Sequence, residues 1–339
     1  MATLGNTFLN LVDVYKRTDP KGGIADVIEL LMQENPILQD AIAVECNMGG
    51  VHRHTIRTGL PSVSWGALYR GIPQSKSRTQ QVDDTTGFIE ALATVDKRLL
   101  ELSKDPAKVR LTESQAFLEA MSQEAATGIF YHNTATTPEK IKGLSARYAA
   151  YDTAGTSSTS ARNVIHAGGS GSDNTSIWFV TWSDRATHLL YPEGTKAGVS
   201  REDKGDQRVL DGDGNPYYVK EEMFTHHLGL AVKDWRYNAR IANIDVSSAI
   251  AGNVDLYKFM RQAYYKMQST YVANGKQVIY MNREMMEVLD ALATNDGASD
   301  NFVRLKMQEV EGKMVTTYRG IPIRCTDALV NTEALVPSV

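Results

Sequence analysis

From residue 51 to residue 58 the chain alternates as a strand does, but neither face is apolar. Val51, Arg53, Thr55 and Arg57 fall on one side, and His52, His54, Ile56 and Thr58 on the other. A strand with charges on one side and little apolar surface on either cannot sit in a core. Residues 60–71 hold Pro61, Trp65, Gly66 and Gly71, and residues 72–82 turn polar again with Lys76 and Arg78. This pattern predicts a long two-stranded hairpin over 51–82 that projects from the body. An isolated hairpin is marginal in water and must lean on a neighbour. Trp65, Leu68 and Tyr69 near its tip are the apolar residues available for that contact.

The rest of the chain reads differently. The first stretch is short pieces joined by breakers such as Asp19-Pro20-Lys21-Gly22-Gly23, with a short helix over 24–33 (Ile24, Val27, Ile28 and Leu31 on one face) that Asn35-Pro36 ends. Residues 86–95 alternate with Ile89, Ala91, Ala93 and Val95 on one side, so this strand has a buried face. Asp105-Pro106 marks a break. Thr112-Glu113-Ser114-Gln115 has the form of a capping box, and Phe117, Met121, Ala125 and Ile129 then stack along a helix over 112–131. A loop rich in Ser, Thr and Gly follows over 155–174, with a short strand at 163–167. Residues 176–183 form a buried strand, 191–217 a charged surface insertion, and 228–244 strand material. A helix over 255–272, a strand over 277–281, a helix over 284–293 and a closing strand over 318–326 complete the chain. No fixed-period repeat is visible, and no linker separates two independent cores.

Composition narrows the function classes. The chain has 339 residues, a formal net charge of −4 and a pI near 6.0, which disfavours a protein whose main task is coating DNA. The two cysteines, Cys46 and Cys325, have no CxxC or Cys/His spacing, and the expectation is a pair of reduced thiols. No apolar run is long enough for a membrane span, and residues 1–11 are too polar for a signal peptide, so synthesis in the cytosol is expected.

Constellations that could carry chemistry fail one by one. No phosphate-binding loop with its lysine is present. Gly168-Gly169-Ser170-Gly171-Ser172 does not satisfy GxSxG and reads as a flexible loop. His226-His227 point to opposite sides of a strand; His52 and His54 share a face but lack a third ligand, and read as part of a solvated hairpin. Asp211-Gly212-Asp213-Gly214-Asn215 with Glu222 has calcium-loop spacing, but Pro216 stands where a glycine must turn, so a turn between strands is expected. Trp235, Tyr237 and their arginines read as a half-buried strand rather than a base-stacking platform. No catalytic residue, metal ligand or cofactor is assigned, and the chain is not expected to be an enzyme.

The order of elements carries a resemblance. Residues 86–102, the helix 112–131, YHNTATTPEKIKGL at 131–144 and YRGIPIRCTDA at 318–328 together resemble the HK97-like major capsid protein fold of tailed bacteriophages. HRHTIRTGLPSVSW at 52–65 and GLAVKDWRYNARIANID at 229–245 look like those of short-tailed, podovirus-like phages in particular. The resemblance implies an α+β fold: an N-terminal arm (1–50), an extended hairpin loop (51–84), a peripheral domain (85–144) with spine helix 112–131, an axial domain (145–317) with the insertion at about 191–217, and a C-terminal strand (318–339) returning to the peripheral domain.

It further implies a structural subunit that self-assembles, as hexamers and pentamers, into the icosahedral shell around phage double-stranded DNA; an encapsulin-like compartment of the same fold is the alternative. Implied partners are a separate scaffolding protein, a portal protein, a possible decoration protein and weakly, non-specifically held DNA, with no membrane. Implied localisation is the virion capsid, assembled in the host bacterial cytoplasm. The expected inter-subunit residues of the extended loop are Arg53, Arg57, Trp65, Tyr69, Arg70, Lys76 and Arg78, whose cations should meet carboxylates on a neighbour. Lys16, Arg17, Lys21, Lys104, Lys108 and Arg110 are expected near DNA on an inner face whose charges balance. Some relatives cross-link through a lysine, and Lys76 is so placed, but noncovalent assembly is the expectation.

Overall fold

The computed structural model describes residues 32–268, 275–295, 305–310 and 313–339; Lys16, Arg17, Lys21 and nearly all of the expected helix over 24–33 lie outside them. The described chain starts at Met32 and makes a short helix, α1 (Ile37–Asp40), and a short strand, β1 (Ala43–Glu45). Pro36 heads α1 instead of only ending what precedes it, because a residue without an N–H is acceptable where a helix begins.

Two strands make the hairpin. β2 (Val51–Gly59) pairs antiparallel with the first part of β3 (Arg78–Asp96), from Val51↔Thr85 to Gly59↔Arg78. The sequence reading separated the return strand of the hairpin from the strand at 86–95. They are one strand of 19 residues that changes partner: beyond Thr85, β3 pairs with β8 (Pro216–Val232), from Thr86↔Gly229 to Asp96↔Val219. The hydrophobic pattern shifts at 85–86 because the environment changes there. Gly50 marks the departure of β2: its carbonyl accepts from both the backbone N–H and the hydroxyl of Thr86, each at 2.9 Å.

After a short helix α2 (Lys97–Leu102), the long helix α3 spans Pro106–Tyr131. It begins six residues before the expected Thr112. Asp105 caps it, accepting from the Lys108 N–H, and Pro106 takes the first turn. The expected capping box is absent, since the Thr112 hydroxyl donates back to the Lys108 carbonyl inside the helix. Phe117 and Met121 pack on Ala93 and Phe224, so the helix lies across β3 and β8. At its end the chain turns back through Gly143 to a short helix, α4 (Leu144–Arg147). A Cβ on Gly143 would stand 2.7 Å from the Gly128 carbonyl oxygen, so only glycine fits against the helix end.

The remaining strands are β4 (Val164–His166), β5 (Asn174–Trp182), β6 (Thr187–Tyr191), β7 (Val199–Leu210) and β9 (Ala239–Asp245), then β10 (Lys276–Met281), β11 (Leu305–Val310), β12 (Lys313–Tyr318) and β13 (Ile321–Cys325). The sheet runs β11-β12-β13-β10-β5-β6-β8-β3-β2, with β1 on β6, β7 on β8, and β9 between β4 and β5. β5 is buried along its whole length because both its faces are covered, which is why it reads as a continuous apolar run. Trp178, Val180 and Trp182 face the end of α3 (Ala125, Ala126, Ile129, Phe130) and the C-terminal residues Ala328, Leu329 and Val336. Ile177 and Phe179 face the other layer, made by α5 (Val246–Ile250), α6 (Leu256–Lys266) and α7 (Arg283–Asn295).

The residues of the expected insertion at 191–217 form a ribbon, since β7 pairs with β8 from Val199↔His226 to Leu210↔Pro216. Two further expectations are corrected. The strand expected over 228–244 is broken by a turn of 3-10 helix at Trp235–Tyr237, capped by Asp234. The closing strand over 318–326 is a hairpin, because Arg319 and Gly320 both take positive φ (51° and 83°) and fold β13 back on β12. β13 then runs parallel to β10 in the large sheet.

The C-terminal segment is held by a buried ion pair. Arg240 donates to Glu333 at 2.8 Å, lies over the Trp178 ring at 4.9 Å, and donates to the Tyr148 carbonyl; Tyr131 donates to Glu333 at 2.6 Å. Removing one side of such a pair strands a charge in the interior. Glu333→Ala is therefore expected to cost about 3–5 kcal/mol, read as a drop in the denaturant midpoint of unfolding. A loss below about 1 kcal/mol, the scale of an exposed pair, would contradict this role.

Candidate functional site

The hairpin is the part of the molecule least explained by its own fold. Between the paired strands, residues 60–77 form an extended loop with a turn at its end, held by little more than Ser75 donating to the Ser62 carbonyl and Arg70 N–H donating to the Ala67 carbonyl. Leu60, Val63, Trp65, Leu68, Tyr69 and Ile72 all stand in solvent; Trp65 and Tyr69 are fully exposed, at 101% and 106%. Burying one such side chain is worth roughly 1.5–3 kcal/mol, so six on one loop amount to a large unmet driving force for contact. Contiguous exposed apolar surface of this kind marks an interaction site.

The loop's cations divide into two kinds. Arg53 donates twice to Asp83, both bonds at 2.7 Å, so in the single subunit its carboxylate partner lies across its own hairpin. Arg57, Arg70, Lys76 and Arg78 are exposed, and among the described residues none of them has an ion pair. The loop thus presents apolar side chains among cations without acidic partners.

The root of the hairpin is built differently. Asp84, on β3 opposite His52, is buried and accepts from Arg147 at 2.7 Å; the same guanidinium nitrogen donates to the Leu230 carbonyl. Around this pair sit three imidazoles. His52 and His54, expected on a solvated face, are turned inward here: His52 is buried, the His54 side chain is nearly so, and His188 on β6 meets His52 edge to face at 5.6 Å between ring centres. His54 Nδ1 lies 3.8 Å from Asp84. Alternation in sequence could not reveal that β6 covers this end of β2. Burial first, and then Lys233, pushes His188 down to about 4. His52 is lowered chiefly by burial and so is His54.

The inner-face candidates are not equivalent. Lys104 and Lys108 lie at the start of the long helix, and each has a partner. Arg110 is not a free surface cation: it pairs with Asp203 at 2.9 Å and with the buried Glu222. Glu222 also takes two bonds from Arg201 and one from Ser114. Burial raises its carboxyl, but these donors outweigh that and hold it below the ordinary carboxylate value. The sequence reading met Glu222 only as the twelfth position of a calcium-type loop. In the structure it locks α3 to the β7–β8 ribbon, while Asp211 accepts from the N–H groups of Asp213 and Asn215 to form the turn that joins those two strands. Trp235 packs against the main core, as the half-buried reading required.

The two ion pairs of the hairpin have different weights. Arg147→Ala should cost about 3–5 kcal/mol because it leaves Asp84 buried and unpaired. Arg53→Ala should cost far less, since both members of that pair are solvated. Equilibrium unfolding of the two variants checks the contrast, and equal losses would refute it.

Comparison with known proteins now bears on this arrangement. Residues 19–337 match the family model for major capsid protein GP7. A chain of the near-atomic structure of bacteriophage epsilon15 aligns over 99% of this chain and 99% of its own, with 34% identity and a TM-score of 0.76. The capsid of bacteriophage JBD30 aligns over 88% of this chain and 93% of its own, with 8% identity and a TM-score of 0.51, a likeness of fold alone. The SrpI encapsulin of Synechococcus elongatus PCC 7942 covers 70% of this chain and 96% of its own at 10% identity, and its TM-score of 0.43 is too low to carry an argument. No curated protein sequence matches.

Proposed function

The chain belongs to the major capsid protein GP7 family and has the HK97-like fold of phage capsid subunits, and on that premise we propose that its projecting hairpin is the grip by which one subunit holds the next in the shell. The protein is a structural subunit of a bacteriophage capsid and works as a homo-oligomer. The observation that carries the proposal is the exposed loop 60–77, with its six apolar side chains and unpaired cations. A subunit that must close a shell needs surface that is poor for a monomer and good for a neighbour.

In this reading the domain divisions follow the capsid plan set out above: arm, extended loop, peripheral region around α3, and axial region around β5. Arg57, Arg70, Lys76 and Arg78 meet carboxylates of an adjacent subunit and set register and association rate more than raw stability. A separate scaffolding protein, a portal and a decoration protein complete the assembly, which takes place in the host cytoplasm. Packaged DNA touches the inner wall weakly and without sequence preference, because the subunit as a whole is mildly acidic and Arg110 is neutralised internally.

Deleting residues 60–71 should leave a folded subunit that forms no shells by electron microscopy; normal shells would sink the proposal. Charge reversal at Arg57 and Arg70 should slow assembly and flatten or invert its salt dependence in light scattering. Unchanged kinetics at low and moderate salt would count against a role for these cations.

A further inference from the structure

The hairpin root holds more titratable groups than a fixed joint needs. His52 and His54 on β2 and His188 on β6 are packed together at the point where β3 passes from the hairpin to the body. Among the described residues, Nδ1 of His52, Nδ1 of His54 and Oδ2 of Asp84 are buried without a hydrogen-bond partner, and the buried His188 ring has only the Ser183 backbone close enough to favour its proton. Such groups cost stability in the neutral state and far more when charged. We propose that His52, His54 and His188 form a proton-operated latch: neutral, they let β2 lie closed against β6, and protonated, they push the hairpin root open.

The charges that face the cluster come from every element around it. Asp84 on β3 attracts a proton, but Arg147 on α4 already pairs with it at 2.7 Å. Lys233, just after β8, opposes protonation of all three rings, and Arg147 opposes that of His54. Glu45 on β1 holds His52 through its backbone, and the thiol of Cys46 beside it is pushed up by burial. A new imidazolium would therefore join two cations and one carboxylate that is already matched. The repulsion is relieved by β2 moving out into water, a motion that β3 permits because its two halves pair with different partners.

The direction with pH follows from linkage. All three histidines sit below the ordinary value of 6.5 in the closed state, His188 at about 4. The open root binds more protons, so closure is fully stable above about 6.5 and weakens steadily from there down to about 4. The latch is a property of the subunit and does not rest on its place in a shell.

Hydrogen exchange of the full-length chain between pH 7.5 and 4.5 tests this, with rates corrected for intrinsic chemistry. Amides of residues 51–56 and 82–86 should lose protection by about tenfold or more, as each unit of lowered pKa is a tenfold bias, while α3 and β5 stay protected. In His188→Gln the response should shrink, and in His52→Gln/His188→Gln it should nearly vanish; His226→Gln, a buried histidine outside the cluster, should respond like wild type. Should the variants fail to fold, the wild-type profile decides alone. A root whose protection does not change with pH, or that opens only together with α3 and β5, overturns the latch. So does a double variant with the wild-type response.

Discussion

The hairpin and the body share one strand. β3 runs unbroken from Arg78 to Asp96, pairing with β2 over its first half and with β8 over its second. The direction in which the second strand of the hairpin leaves the molecule is therefore set by the sheet of the body. The Gly50 carbonyl on Thr86, and the Asp84–Arg147 pair beneath it, hold the second strand of the hairpin to that course. A loop with six exposed apolar side chains could otherwise fold back on its own subunit. Tied to a long strand, it is kept in solvent and available to another copy.

Charge is distributed to the same end. In the body, several cations are matched internally: Arg110 and Arg201 on Glu222, Arg240 on Glu333, and Lys276 and Arg324 near Asp40. The pairs on Glu333 and Asp40 join segments distant in sequence, and breaking a buried pair such as Arg240–Glu333 from one side is costly. Towards the end of the hairpin the matching stops at Arg53 and Asp83, and the cations beyond it are open. The buried pairs hold the subunit together, whereas the open cations of the hairpin face outward.

Much of this was legible in the sequence because it is local. The polar alternation at 51–58, the apolar run of β5 and the i, i+4 stack of the long helix are patterns that each element writes for itself. What escaped depended on neighbours. The continuity of β3 was hidden because its pattern changes with its partner at Thr86. The helix start was misplaced because Asp105-Pro106 reads as a break, although the same pair is a cap followed by a residue suited to the first turn. The turn at Arg319-Gly320 rests on a non-glycine residue at positive φ. The inward packing of His52 and His54 comes from β6, far away in sequence, and the partners of Glu222 come from two other elements, α3 and β7. The tip residues Trp65 and Tyr69 were identified, since large apolar side chains in a polar setting need no tertiary information to be noticed.

A cryo-electron microscopy map of the assembled particle measures the central claim directly, through the solvent exposure of the loop 60–77 in the shell. The account predicts that Trp65 and Tyr69, fully exposed in the isolated subunit, are buried against an adjacent subunit, with acidic side chains of that subunit beside Arg57 and Arg70. A shell in which this loop remains in solvent, or folds onto its own subunit, would contradict it.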